Sequence, residues 1–414
     1  MELEELCRAA KAAKYETAAL DSGKKNEALI RIADLLVSES EAIILANARD
    51  IAAATTKGMS IPLIDRLRLT EDRIKAMSEG LRQVAELPDP LADVLEEWER
   101  PNGLSIRKVR VPLGVIGIIY ESRPNVTADA FALTFKSGNA VILKGGSDAI
   151  NSNTAITTVI KKGLKDCGIN EDAISLIEST DRETTVAFMQ MRDYVDVLIP
   201  RGSAGLIRSV VENSKIPVIE TGAGNCHIYI DSSADICKAK NIVVNAKTQR
   251  LGTCNTAESL LIHEDIKDTV FPEIARALHD KSVEIRGDED ALASSEFVVP
   301  ATEDDYYKEY LDLLISVKTV KSVEEAVAHI NKYSTHHSEC IVTEDEAAAE
   351  KFLNGVDSAC VYVNASTRFT DGFEFGFGAE IGISTQMLHA RGPMGLKELT
   401  SYKYQIRGNG QVRG

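Results

Sequence analysis

The sequence predicts an α/β protein of two doubly wound domains with parallel cores, plus a small β-hairpin element. Three observations carry this. Short, nearly continuous apolar runs alternate with helical stretches twice along the chain, the pattern of strands covered on both faces. An Asn-Gly pair, Asn102-Gly103, sits between two extended segments and marks a two-residue hairpin. The length of 414 residues suits two or three domains.

The elements follow in order. Residues 1 to about 95 read as helical, with apolar residues at three and four spacing in Ala28-Leu29-Ile30-Ile32-Ala33-Leu35-Leu36. Breaks are expected near Asn47, Gly58 and Pro62, and Pro88 and Pro90 close the region. The hairpin spans Glu99 to Gly114, with Leu104 to Val111 alternating in polarity. Such a ribbon is unstable alone and needs a surface to lie on. Strands are expected at Val115–Tyr120, Ala140–Lys144, Ala173–Ile177, Val195–Pro200 and Val218–Glu220, with helices at Asn153–Asp166 and Ala204–Glu212. A second alternation predicts strands at Ser259–His263, Leu313–Val317, Glu339–Thr343 and Val361–Asn364, with a helix at Ala234–Thr248. Leu399–Gly414 reads as a last strand with polar ends.

Composition narrows the function. Lys+Arg is 47 and Asp+Glu is 63, a net charge of -16. That argues against general nucleic-acid binding, which needs a basic face, and against docking on anionic membrane. No run approaches the roughly 20 apolar residues of a membrane span. The start, MELEELCRAAKAAKY, lacks the pattern of a secretory signal. The seven cysteines are scattered, with no C-x-x-C pair. They read as reduced thiols in a cytosolic protein without a disulfide framework or zinc ribbon.

Four stretches bear chemistry. Cys254 in Asn245-Ala246-Lys247-Thr248-Gln249-Arg250-Leu251-Gly252-Thr253-Cys254-Asn255 follows a helix that ends in a basic turn. It is a nucleophile whose thiolate Lys247 and Arg250 favour, or a small core residue. Glu220 ends a buried strand before the Gly-rich turn Thr221-Gly222-Ala223-Gly224. Doubly wound sheets place ligands at such ends, and the alternative is a solvated loop glutamate. Lys144 follows a strand and precedes Gly145-Gly146-Ser147. It holds a ribose hydroxyl or a phosphate, or is a solvated turn lysine. Arg201-Gly202-Ser203 follows a strand and opens a helix, which suits a pyrophosphate. Gly376-Phe377-Gly378-Ala379-Glu380-Ile381-Gly382 reads as a tight loop. No metal site is expected: His336-His337 would point to opposite faces of a strand and has no carboxylate companion.

In order and spacing these pieces resemble the aldehyde dehydrogenase superfamily, beginning with Pro112-Leu113-Gly114-Val115 before the lysine strand. Further motifs resemble the branch that reduces L-glutamyl 5-phosphate in proline biosynthesis. They are Ile119-Tyr120-Glu121-Ser122-Arg123-Pro124-Asn125-Val126-Thr127, Asn245 to Arg250, Tyr333 to Glu339, Tyr362 to Gly372 and Phe375 to Thr385. The resemblance runs over essentially the whole chain. It implies an aldehyde dehydrogenase-like fold with a discontinuous NADP(H)-binding domain at 1–97 and 115–222. A catalytic domain at 223–390 would follow, with an oligomerisation hairpin and C-terminal strand at 98–114 and 396–414.

The implied reaction reduces the acyl phosphate with NADPH to L-glutamate 5-semialdehyde and phosphate, through a thioester on Cys254. The Cys254 backbone N–H and Asn125 are the implied oxyanion donors. Glu220 matches the superfamily's general base, which activates water; a reductase fed with acyl phosphate must avoid that hydrolysis, so the resemblance implies a place near the nicotinamide. Lys144 matches the ribose lysine. Ser147 stands where NAD-preferring members carry Glu, which implies NADP(H). Gly202 and Ser203 start the pyrophosphate helix, and Glu309 matches the nicotinamide-ribose carboxylate. Arg123, Arg250 and Arg368 are implied contacts for the anionic substrate. Phe373 departs from the branch, which usually has Gly there. A homodimer or homotetramer is implied, and glutamate kinase is a candidate partner that would hand over its unstable product. The competing readings are a hydrolytic aldehyde dehydrogenase, opposed by the missing Pro-Trp-Asn loop, and a non-catalytic member, opposed by the retained Cys254, Lys144 and Glu309.

Overall fold

The computed structural model describes residues 2–413. The chain forms two compact units. One holds the chain up to Thr221 together with residues 376–382 and the stretch from Met394 onward. The other holds Gly222–Phe375 and Ile383–Pro393. Among the described residues no helix is long and apolar enough to cross a membrane.

The first unit opens with five helices: α1 (Leu3–Ala19), α2 (Ser22–Ser38), α3 (Ser40–Thr56), α4 (Ile61–Leu67) and α5 (Glu71–Glu86). Asp21 starts α2 by accepting the Lys24 backbone N–H at 2.8 Å, satisfying one of the orphan donors of a helix start. The apolar stripe read from the sequence is the buried face of α2, with Leu29, Ile32 and Leu36 fully enclosed. Each such side chain contributes about 1.5–3 kcal/mol on burial.

The expected break at Asn47 is absent. Asn47 lies inside α3 and is buried. Its amide nitrogen donates to the Leu67 carbonyl at 2.8 Å and the Ser152 hydroxyl at 3.0 Å, and its oxygen accepts the Leu69 N–H at 2.8 Å. Long-range partners give the side chain what it would otherwise find in a turn.

Strands β1 (Val94–Glu99) and β2 (Ser105–Pro112) form the expected hairpin. Gly103 supplies its left-handed residue at φ +84. There follow β3 (Val115–Tyr120), α6 (Asn125–Lys136), β4 (Ala140–Gly145), α7 (Ile150–Asp166), β5 (Ile174–Leu176), α8 (Arg182–Phe188), β6 (Val197–Arg201) and α9 (Ala204–Asn213). The four strands make a parallel sheet in the order β5-β4-β3-β6. All of β3 and β4 is buried, as their unbroken apolar runs require. The expected strand Val218–Glu220 is reduced to one parallel bridge, Leu198 to Val218. The chain peels away after it into the turn that contains Gly222 and Gly224.

The second unit is a seven-stranded parallel sheet. Its elements are β7 (Cys226–Ile230), α10 (Ile236–Thr248), β8 (Ala257–His263), α11 (Phe271–His279), β9 (Glu284–Gly287), α12 (Glu289–Ser294), β10 (Val298–Pro300), β11 (Leu314–Val320), α13 (Val323–Tyr333), β12 (Ser338–Val342), α14 (Glu346–Gly355) and β13 (Cys360–Val363). The order is β10-β9-β11-β8-β7-β12-β13. Ile228 and Ile230 pack into one core and Tyr229 into another, as alternate residues of a strand must. Sequence reading missed β7, β9 and β10. In β7, Cys226-His227-Ile228-Tyr229-Ile230 hides a polar residue whose partner is distant: the buried His227 lies 3.4 Å from Glu339. His336 and His337 precede β12, with His336 at φ +59. They are therefore turn residues, and the expectation of opposite strand faces does not apply.

A short pair, β14 (Ile383–Ser384) and β15 (Gly392–Pro393), completes this unit. The last strand, β16 (Thr400–Arg407), belongs to the first unit. It pairs antiparallel with β2 along its length, from Thr400 opposite Pro112 to Arg407 opposite Ser105, giving the order β1-β2-β16.

Replacing Asn47 by Ala strands the Leu69 N–H and the Leu67 carbonyl in the interior. Each unsatisfied group costs about 1–3 kcal/mol. Urea unfolding is expected to show at least ~2 kcal/mol of lost stability; a midpoint equal to that of the parent would contradict the bonding described for Asn47.

Candidate active site

In the second unit, Cys254 lies in the loop that joins α10 to β8. A buried ion pair frames this loop. Lys247, in the last turn of α10, and Glu258, in β8, meet at 2.5 Å with neither side chain exposed. Burial pulls both toward their neutral forms, Glu258 up to about 7 and Lys247 downward, while their mutual attraction opposes it. The expectation that Lys247 favours the Cys254 thiolate is corrected here, because its charge is committed to Glu258.

Arg368 is better placed for that role. Its Nε donates to Gln249 Oε1 at 2.7 Å and its Nη1 to the Thr253 hydroxyl at 2.8 Å, so two residues of the Cys254 loop hold it. Burial, then the like charge of Arg250, lower its proton affinity; the negative charge of Cys254 acts in the opposite sense. By reciprocity the guanidinium favours the thiolate. Asn255 ties the loops together. Its amide donates to the Thr370 carbonyl at 2.9 Å and its own carbonyl accepts the Thr367 hydroxyl at 2.8 Å.

The backbone of Cys254 is fixed from behind. The Cys226 thiol donates to the Cys254 carbonyl at 3.2 Å, and burial pushes the Cys226 thiol well up, which keeps it protonated as a donor. Gly224 packs directly on the same carbonyl: a Cβ there would fall 1.4 Å from the oxygen. The Gly224 N–H donates to Glu309 at 2.7 Å, and burial raises the Glu309 carboxyl. Glu258 closes the circuit by accepting the Leu311 N–H at 3.2 Å. One chain of contacts thus joins Cys254, Glu309 and the Lys247–Glu258 pair.

The first unit gathers its residues at the carboxyl ends of β3, β4 and β6. Lys144, at the end of β4, is 5% exposed and its ammonium donates to the Gly145 carbonyl at 3.2 Å. Burial lowers its proton affinity. Ser147 opens a short 3-10 turn and is exposed. Ser203 caps α9, accepting the Leu206 N–H at 3.4 Å. The Glu121 carboxylate accepts both the Ser203 N–H at 2.8 Å and its hydroxyl at 3.0 Å. Arg123 is exposed in the turn before α6, and Glu220 is half-buried just past the Leu198–Val218 bridge. Asn125 begins α6 and donates to Asp129 at 3.0 Å. Burial pushes the Asp129 carboxyl up to about 6, against the pull of Asn125 and Arg201.

Cys254, Arg250, Arg368 and Glu309 therefore share one unit. Lys144, Ser147, Gly202, Ser203, Arg123, Asn125 and Glu220 share the other. Sequence reading gave no role to Gly224, Cys226, Glu258 or Glu121. Glu258 had a usable signal, a carboxylate in the apolar run Ala257–Ile262.

Two α/β units with parallel sheets, one of them carrying a loop cysteine near arginines, have the architecture of the aldehyde dehydrogenase class of oxidoreductases. A family model of the aldehyde dehydrogenase family matches residues 1–296 and 298–404. A gamma-glutamyl phosphate reductase of Lachnospira eligens is 58% identical over 406 residues, 98% of either chain. One of Caldanaerobacter subterraneus is 56% identical over 413 residues, the full length of both. The crystal structure of gamma-glutamyl phosphate reductase from Thermotoga maritima matches at a TM-score of 0.98 and 50% identity over both complete chains. An engineered glycolyl-CoA reductase, solved with NADP+ bound, shares the fold at a TM-score of 0.68 and 17% identity, covering 97% of this chain and 96% of that one. The chain belongs to the aldehyde dehydrogenase family and, within it, to the gamma-glutamyl phosphate reductase branch.

Gly224→Ala forces the Cys254 carbonyl to move. Misplacing a reacting group by about 1 Å costs ~100-fold in rate. Turnover is expected to fall by that order, and alkylation of Cys254 by iodoacetamide, read by peptide mass spectrometry, to change rate with it. A variant of parental far-UV circular dichroism and parental Cys254 reactivity would refute the packing role of Gly224.

Proposed function

We propose that this chain reduces L-glutamyl 5-phosphate to L-glutamate 5-semialdehyde and phosphate, with NADPH as the reductant and Cys254 as the nucleophile. The observation that carries the reading is the setting of Cys254: a thiol coupled to Arg368, in a loop whose backbone Gly224 and Cys226 hold. The names of relatives at 55% identity and above support the acyl phosphate as substrate.

The Cys254 thiolate attacks the acyl carbon, and phosphate leaves with the C–O bond electrons. The acyl group stays on sulfur as a thioester. The Cys254 backbone N–H and the amide of Asn125 are the proposed donors to the oxyanion of each tetrahedral species. A bound NADPH supplies the hydride that takes the thioester to the aldehyde level. Collapse of the resulting thiohemiacetal returns the sulfur as thiolate and frees the semialdehyde. Arg123, Arg250 and Arg368 supply the local positive charge that an anionic substrate needs on a chain of net charge -16. Glu220 is assigned to shaping the nicotinamide environment, because activation of water would waste the thioester.

The residues present fit a phosphorylated dinucleotide. Lys144 is a buried ammonium at a strand end, and Gly202 has no Cβ at the α9 start, where one would strike the Glu121 carboxylate and Leu206. Lys144 and Glu309 would hold the two riboses, Gly202 and Ser203 the diphosphate, and Ser147 would leave room for a 2′-phosphate. The exposed edge strand β16, with Tyr402, Tyr404 and Ile406 each more than half exposed, supports a homodimer or homotetramer, since an open apolar edge is a pairing template.

The reverse reaction tests the chemistry, because the acyl phosphate is unstable. With semialdehyde, phosphate and NADP+, formation of NADPH is expected to depend strictly on phosphate and to be faster than with NAD+. Reduction of NADP+ without phosphate would replace this reading by a hydrolytic dehydrogenase with Glu220 as its base. In static light scattering at micromolar concentration the mass is expected to correspond to two or four chains. A single-chain mass would overturn the assembly.

A further inference from the structure

The sheet of the first unit reverses direction beside β3. The chain runs from β3 to β4 and β5 on one side and then to β6 on the other. Ligands of open α/β sheets bind in the crevice outside the strand ends at such a reversal. Here the crevice is bridged. Glu121 is the first residue after β3, and Ser203 opens α9 after β6. The two Glu121 oxygens take separate donors on Ser203, Oε2 the backbone N–H at 2.8 Å and Oε1 the hydroxyl at 3.0 Å. A Cβ on Gly202 would lie 2.6 Å from Oε2 and 2.8 Å from Leu206 Cδ2, so the carboxylate and Leu206 share the space that the missing side chain leaves.

We propose that the Glu121 carboxylate occupies the anion position at the start of α9 and must swing out for a dinucleotide diphosphate to bind there. This rests on the dinucleotide reading above. A helix start with free N–H groups attracts an anion, and the carboxylate satisfies it with the two-point geometry that a phosphate would use. Two anions cannot share one helix start, so the side chain and the cofactor exclude each other. The opening asks for side-chain rotation only: the Glu121 N–H stays in the sheet by donating to the Arg201 carbonyl at 3.1 Å. The measured cofactor affinity is then the intrinsic affinity reduced by the fraction of molecules with the crevice open. As the oxidised cofactor departs, the carboxylate returns to its donors and opposes rebinding.

The test is a fluorescence titration of NADPH against the purified full chain, with Glu121→Gln and Glu121→Ala beside the parent. Removing the competing charge is expected to tighten NADPH binding about 5- to 20-fold in both variants. Both should also lower the melting temperature of the cofactor-free protein, because the Ser203 N–H and hydroxyl lose their charged acceptor, and NADPH should restore more of it than in the parent. Parental NADPH binding with unchanged or weaker affinity in Glu121→Gln would overturn the proposal. Failure of the parent itself to bind NADPH would instead remove the dinucleotide reading on which it rests.

Discussion

The buried pair between Lys247 and Glu258 is the contact on which the second unit depends. Removing an ammonium and a carboxylate from water costs several kcal/mol for each ion, and only close pairing with further hydrogen bonds offsets that. The two charges must therefore stay together, and each sits at one end of the loop that bears Cys254. Their pairing fixes the span of that loop. Through Leu311 the same carboxylate fixes the segment that carries Glu309, and through Gly224 that segment rests against the Cys254 carbonyl. A geometry set by a stiff contact in the interior is delivered to Cys254, the proposed nucleophile.

The protein separates two electrostatic tasks. The chain as a whole is strongly acidic, yet its substrate is an anion. The local arrangement is a corner in which burial, then the neighbouring charge of Arg250, lowers the proton affinity of Arg368 while Cys254 acts in the opposite sense. Like charges held this close favour an anion between them, which is why the proposed function gives these arginines to the phosphorylated substrate. In the first unit the Glu121 carboxylate takes both donors of Ser203, the residue that caps α9, and the positive helix start is met internally.

Much of this was legible in the sequence. The runs at β3 and β4 are apolar throughout because both faces are covered, so their extents could be read nearly to the residue. Asn-Gly at the hairpin and the Thr-Cys-Asn environment of Cys254 are local signals and gave local answers. What could not be read shares a cause, since each polar residue involved is satisfied by a partner far away in sequence. Asn47 looks like a breaker until Leu67, Leu69 and Ser152 are supplied. His227 hides a buried strand because Glu339 lies over a hundred positions on. Lys247 looked like an activator of Cys254 because the composition of a basic turn does not reveal that Glu258 claims its charge. Glu121 was quoted within a family motif, but its function depends on which strand end the sheet order brings beside it.

The interleaving of the two units has a consequence for synthesis. The second unit is built almost entirely from one continuous stretch, Gly222–Phe375. The first draws its three-stranded sheet from β1, β2 and β16, whose partners Pro112 and Thr400 are made far apart in time, and the buried Asn139 waits for the Leu399 carbonyl. A ribosome releases the chain from its N-terminal side, and domains tend to fold as they emerge. The unit that begins first therefore finishes last, and the edge of β2 stays open while the whole second unit is translated. Such a chain relies on whatever shields nascent strands in the cell, and a refolding experiment that starts from the complete polypeptide will not reproduce that order.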